Sequence, residues 1–185
     1  MSNISNSNSN HNHQVIWTRR FIIAAIIQGA IVVGLTIFLV LGQLIIKPEI
    51  SRVIAAGGAG TWFTFGYLVY LIVGVIGVAV SAAFYHYVEK DLGRKYNTKS
   101  KRIFAGGHLI LMNLGAVAST GMLMYAGYMA GAAMLPVDVG GQGFNAGQAH
   151  GILAPFVEPI SVFVIVLIIG VILGGIGFLL AFRRA

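Results

Sequence analysis

The sequence contains no cysteine among its 185 residues. Disulfide bonds, thiolate-held iron–sulfur clusters and thiolate zinc sites are therefore excluded. Charge is also scarce, because Asp, Glu, Lys and Arg make up 9% of the chain, against about 25% in an average soluble domain. So few charged groups cannot cover the surface of a small soluble protein, and the composition favours lipid as the solvent for most of the chain.

Several catalytic signatures are missing as well. The chain has no nucleophile elbow, Walker loop, HExxH or GxGxxG motif, so the common hydrolase, nucleotide-binding and metalloprotease classes find no support. Its long apolar segments contain no Lys, Arg or carboxylate pair. Ion-coupled transporters usually need such groups inside the membrane, and this class is disfavoured.

Apolar residues make up 57% of the chain. Four segments, at about 21–46, 61–88, 103–135 and 159–182, contain the roughly 20 apolar residues that a membrane span needs. We therefore expect an all-α integral membrane protein, with four transmembrane helices in one bundle over residues 18–185. Residues 1–17 begin with a low-complexity Asn/Ser stretch and are expected to form a disordered tail.

The basic residues alternate between the two sides of the predicted bundle. Ten of the twelve precede span 1, lie between spans 2 and 3 or close the chain, and only Lys47 and Arg52 fall on the other side. The positive-inside rule places the ten in the cytoplasm, together with both termini. This distribution explains the net charge of +7 without nucleic acid. The expected partners are the lipid bilayer of the cell membrane and other membrane subunits.

Small residues recur at helical spacing in three of the four segments. They indicate close helix packing, and they are Gly66, Gly74, Gly77 and Ser81 in the second segment, Gly127 and Gly131 in the third, and Gly170, Gly174, Gly177 and Ala181 in the fourth. Gly29 and Gly34 of the first segment do not share a face, which suggests that this helix lies at the edge of the bundle. The glycine-rich stretch at 137–159 is expected to be an irregular outer loop.

Two histidines, His86 and His108, lie at the same predicted depth on consecutive spans. Their imidazoles could bind a b-type haem between facing helices, because small side chains near both leave room for a flat macrocycle. The alternative is that His86, within the aromatic stretch FYHYVEK, anchors the helix end at the interface, while His108 caps span 3.

A second candidate site lies on the outer side. His150, Asp138 and Glu158 offer nitrogen and oxygen ligands that could hold a metal ion such as copper. Their spacing matches no specific metal motif. His11 and His13 could also bind a metal, although a lone HxH in a disordered tail is usually incidental.

Residues 107–129, GHLILMNLGAVASTGMLMYAGYM, resemble a histidine-bearing helix in the large subunit of haem–copper oxidases, especially the cbb3-type and nitric-oxide-reductase branches. The resemblance implies that His108 matches the low-spin haem ligand. In that family the helix opens with its histidine on the outer side, whereas the charge pattern here places His108 inside. The large subunit also has many more spans than four, so the resemblance implies a small accessory subunit of a terminal oxidase.

Three functions follow from these observations. The first is a small multi-pass subunit of a respiratory or electron-transfer complex, not catalytic by itself, with haem b as a possible cofactor. The second is a cofactor-free structural or assembly subunit of a membrane complex. The third is a small-solute channel or carrier, which the lack of buried charges makes the least favoured.

Overall fold

The computed structural model describes residues 15–182, and all the regular structure in that range is helical. Four helices are long and apolar enough to cross a membrane, which confirms the predicted multi-pass architecture. We name them span 1 (Ile16–Ile45), span 2 (Gly57–Asp91), span 3 (Lys99–Met134) and span 4 (Ala146–Phe182). A short helix, Ile50–Ile54, joins spans 1 and 2, and a 3-10 turn, Val137–Val139, lies between spans 3 and 4.

Span 2 is not a uniform α-helix. It is α-helical over Gly57–Val69, π-helical over Tyr70–Gly77, α-helical again over Val78–His86 and π-helical over Tyr87–Asp91. A π-helical stretch changes the direction in which later side chains point, because its turns hold more residues than α-helical turns. Such stretches are frequent at functional sites.

Contacts between residues at the ends of the spans show that consecutive spans run antiparallel. At one end, Glu89 at the end of span 2 contacts Thr18 of span 1, and Arg94 contacts Ala181 of span 4. At the other end, Gly140 lies beside Pro48. The start of span 1, the connection from span 2 to span 3 and the end of span 4 therefore share one end, which we call the basic end.

Span 3 is the centre of the bundle, packing along span 4 on one side and the first part of span 2 on the other. The close approaches use the predicted small residues. A Cβ added at Gly170 of span 4 would lie 2.5 Å from the backbone nitrogen of Met112, and one at Gly115 would lie 2.5 Å from the nitrogen of Leu167. The backbones can pack this closely only because no side chain intervenes.

Span 1 packs mainly against the second half of span 2. A Cβ at Gly29 or Gly34 would meet nothing within 4 Å. Within an 18-residue apolar stretch of span 1, only 6% of the residues are buried inside the protein. Its position at the edge of the bundle agrees with the expectation from the sequence.

Span 4 begins 13 residues earlier than the expected Pro159, so the irregular loop predicted at 137–159 is wrong over most of its length. The reason is a capping box. Asn145 Oδ1 accepts a hydrogen bond from the backbone N–H of Gln148 at 3.0 Å, and the Gln148 side chain accepts one from the N–H of Asn145 at 2.9 Å. The helix then continues through Pro155 and Pro159.

The start of span 1 also differs from the expectation. The helix begins at Ile16, so Trp17 belongs to the bundle and not to the predicted tail. Trp17 is 7% exposed and packs with Tyr85 and Tyr96. Residues 1–14, with His11 and His13, lie outside the described residues.

Candidate functional site

His108 is enclosed in the bundle near the basic end. Its side chain is on span 3 and is 3% exposed. Aromatic rings from three other spans surround it: the ring centroids of Phe21, Tyr85 and Phe178 lie 4.9, 5.9 and 6.0 Å from that of His108. Gly174 of span 4 completes the enclosure, because a Cβ there would lie 2.5 Å from His108 Nδ1.

Both ring nitrogens of His108 face hydroxyl groups. Nδ1 lies 3.3 Å from the hydroxyl of Tyr85, and Nε2 lies 3.5 Å from that of Ser81, which is at the long limit for a hydrogen bond. Tyr85 and Ser81 are one turn apart on span 2, so they meet the imidazole together. Near the end of span 2, it is thus Tyr85, and not His86, that contacts the ring of His108.

His86 is half-buried at the edge of the buried face of span 2, and none of the contacts around His108 involves it. A bis-histidine haem would need a free nitrogen on each ring and space between the helices for the macrocycle. At His108, hydroxyls face both nitrogens, and aromatic rings and Gly174 fill the space. As arranged, these residues do not fit a haem.

The three outer candidates for a metal site, Asp138, His150 and Glu158, are all exposed. His150 and Glu158 are eight residues apart on span 4, which separates their Cα atoms by about 12 Å along the helix axis. Among residues 15–182, no group of three or more His, Asp or Glu side chains could hold a metal ion. The structure therefore does not bring these three side chains together as a metal site.

A chain of polar side chains crosses the interior of the bundle. Gln28 of span 1 is 4% exposed and donates from Nε2 to Asn113 Oδ1 of span 3 at 2.7 Å. The Tyr70 hydroxyl, at the start of the π-helical stretch of span 2, donates to Gln28 Oε1. Three spans are thus joined by amide and hydroxyl groups within their apolar segments.

The geometry determines which group donates and which accepts in each hydrogen bond of this polar chain. Asn113 Nδ2 lies 2.7 Å from the carbonyl oxygen of Leu109, which can only accept, so this atom is the amide nitrogen. Asn113 Oδ1 then accepts from Gln28 Nε2. Gln28 Oε1 must therefore accept from the Tyr70 hydroxyl. Hydrogen bonds that are oriented in series polarise and strengthen one another, and the low dielectric of the interior strengthens each bond further.

The sequence predictions did not include Gln28 as a site residue. A lone amide in the apolar segment 21–46 is itself a signal, because burying an unpaired polar group in hydrocarbon is costly. Asn113 was expected to bond a neighbouring helix, but its partner on span 1 could not be read from the spacing along span 3.

Two charged side chains hold the basic end together: Glu89 at the end of span 2, and Arg94 between spans 2 and 3. The Glu89 carboxylate accepts from the backbone N–H groups of Trp17 and Thr18 at 3.1 and 2.9 Å, and from the Thr18 hydroxyl at 2.9 Å. Arg94 donates to the carbonyl oxygens of Ala181 and Phe182 at the end of span 4. A negative group at a helix N-terminus and a positive group at a C-terminus both complement the helix dipole.

Tyr96 lies next to this pair of contacts. It is 4% exposed, and its hydroxyl has no hydrogen-bond partner among the described residues. Burial raises the pKa of Tyr96 well above its ordinary value, and the nearby Glu89 carboxylate adds to the shift. Tyr96 is therefore neutral throughout the physiological pH range and serves to pack Trp17 and Tyr85.

No family model, curated protein or solved structure matches this chain.

Proposed function

We propose that the chain is a non-catalytic, multi-pass accessory subunit of a membrane electron-transfer complex, and that it packs on its partner subunits through span 1. The electron-transfer part rests on the resemblance of residues 107–129 to the oxidase helix. The accessory role rests on the geometry, since the interior around His108 is filled by the chain's own side chains.

One observation on span 1 supports the packing role. Ala30 and Gly34 are one turn apart, both are exposed, and a Cβ at Gly34 would meet nothing within 4 Å. A pair of small residues at this spacing lets two helices approach closely in a membrane. Inside the bundle, Gly127 and Gly131 of span 3 are used in this way against span 2, whereas Ala30 and Gly34 of span 1 are exposed.

The charge distribution supports an orientation for this subunit. The basic end contains most of the Lys and Arg residues, and by the positive-inside rule it faces the cytoplasm. Both termini of the described chain then lie on the cytoplasmic side, and the loop around Gly140 faces outward.

The test is gentle detergent extraction of native membranes, followed by native gel separation, a visible spectrum and mass spectrometry of the same band. We expect the chain to migrate with oxidase-type subunits. A Gly34→Leu variant should lose this co-migration while keeping its own fold, because Gly34 is exposed and a Cβ there meets nothing within 4 Å. Gly34→Ala keeps a small residue and is the matched control.

Two results would overturn the proposal. If the wild-type chain migrates alone and colourless, the assignment to an electron-transfer complex is wrong. If Gly34→Leu migrates with the complex as the wild type does, span 1 does not make the contact through this face. A haem spectrum that is lost in His108→Leu but not in Gly34→Leu would show a cofactor role for the bundle interior instead.

A further inference from the structure

A groove runs between spans 1 and 3 beside the polar chain. It has a volume of about 370 Å³ and is open along one side. Arg20 lies at its basic end, Gln28 and Asn113 lie deeper, and apolar side chains such as Ile23, Ile27 and Ile110 form its walls. These three isoleucines are 47, 55 and 64% exposed, so the open side faces the hydrocarbon of the bilayer.

The two amides that line the groove are not fully satisfied. Each amide nitrogen has two protons to donate. Gln28 Nε2 uses one on Asn113, and Asn113 Nδ2 uses one on the Leu109 carbonyl. One N–H on each amide has no acceptor among the described residues, and such a group in hydrocarbon has a free-energy cost unless it meets an acceptor.

The depth of these two N–H donors in the membrane limits which molecules could supply an acceptor. Gln28 is eight residues from Arg20, which places it about 12 Å further into the membrane along the helix axis. The ester carbonyls of a phospholipid lie beside its headgroup and would not reach this depth. An apolar molecule that carries a carbonyl group within the hydrocarbon layer would supply an acceptor at this depth.

We infer that this groove binds a membrane quinone, with one ring carbonyl accepting hydrogen bonds from Gln28 and Asn113. A quinone carbonyl is an acceptor without a proton of its own, which matches two N–H donors. The volume falls within the range of sites that hold small ligands, and a mostly apolar wall with a few polar groups is typical of them. This binding site does not depend on the proposed assembly through Gly34.

Tyr70 is a positioning residue for this site. Its hydroxyl donates to Gln28 Oε1, so that Nε2 is the atom that faces Asn113. Tyr70 is 1% exposed and its ring lies against Gly74 of the same helix, which leaves it little freedom to move.

The test is photolabelling of the full-length chain, purified and placed in vesicles of synthetic phosphatidylcholine, with an azido derivative of a short-chain ubiquinone. We expect saturable labelling of peptides that contain Ile23–Gln28 and Leu109–Asn113, and competition by unlabelled ubiquinone. Replacing both amides, in Gln28→Leu with Asn113→Leu, should weaken competition by about tenfold or more. Thr36→Val also removes a polar group of span 1 but lies outside the groove, and it should bind like the wild type.

A second variant covers the case in which the double variant does not fold. Ala24→Phe fills the groove while both amides stay in place, and it should also abolish the labelling. Labelling that does not saturate, that maps to other helices, or that is unchanged in Ala24→Phe would overturn the inference. It would also be overturned if phosphatidylglycerol displaced the label and ubiquinone did not, because the groove would then be a site for an anionic lipid.

Discussion

Gly174 and His108 show how one missing side chain organises the interior of the bundle. The imidazole lies against the backbone of span 4 at Gly174, where any Cβ would be 2.5 Å from Nδ1. The same contact lets the ring nitrogens reach Tyr85 and Ser81 on span 2. His108 is therefore a packing residue that joins spans 2, 3 and 4.

The change Gly174→Ala tests this packing role. We expect it to lower the free energy of unfolding by about 1–3 kcal/mol, because overpacking forces the imidazole away from its partners. The adjacent Gly175 is exposed, and a Cβ there would meet nothing within 4 Å. Gly175→Ala is thus a matched control, expected to be neutral or slightly stabilising through its higher helix propensity. Thermal unfolding in detergent, followed by circular dichroism, measures both variants.

Equal stability of the Gly174→Ala and Gly175→Ala variants would contradict this packing arrangement. It would mean that the ring of His108 does not lie on span 4 in the membrane, and that space for a larger group remains beside it.

Among the helices, span 1 is attached to the bundle differently from the others. Spans 2 and 4 each approach span 3 through glycines, whereas span 1 packs on the second half of span 2 without a glycine face. Glu89 caps its first turn, and Gln28 joins it to Tyr70 and Asn113 further along. The cap and the polar chain are therefore expected to determine how firmly span 1 is held.

Replacing Glu89 with Leu should loosen the first turn of span 1. The variant removes three hydrogen bonds and the favourable charge at the helix N-terminus, an effect of about 1–2 kcal/mol. We expect faster hydrogen exchange in peptides that contain Trp17–Phe21, with little change in span 4. Asp91 is exposed, and it takes no part in the three hydrogen bonds that Glu89 accepts from span 1. Asp91→Leu is therefore the control, and faster exchange in both variants alike would argue against a specific cap.

For the whole molecule, the absence of cysteine allows a direct test of the proposed orientation. Ser100 is exposed at the basic end and Gln142 is exposed at the opposite end. In intact cells, a membrane-impermeant maleimide should label Gln142→Cys and leave Ser100→Cys unlabelled until the membrane is opened. The opposite labelling pattern would show that the basic end faces outward, against the charge rule.

The number of spans and the faces that pack could be predicted from the sequence because hydrophobicity, size and charge are properties of each residue. Four long apolar segments give four spans whatever their partners, and glycines at helical spacing mark the faces that approach closely. The edge position of span 1 was predictable for the same reason, since Gly29 and Gly34 do not share a face.

The start of span 4 could also have been found in the sequence. The residues Asn145 and Gln148 have the spacing of a capping box, a local signal that the surrounding glycines obscured.

What the sequence by itself determined is therefore the class of the protein, the four spans and the small-residue faces. Only the tertiary structure decided which side chains meet: Tyr85 and not His86 at His108, Gln28 at Asn113, and Glu89 at the start of span 1. These pairs are 23, 85 and 71 residues apart in the chain. Each depends on how the helices are rotated about their axes, and the π-helical stretch Tyr70–Gly77 changes that rotation within span 2 in a way that α-helical spacing does not reveal.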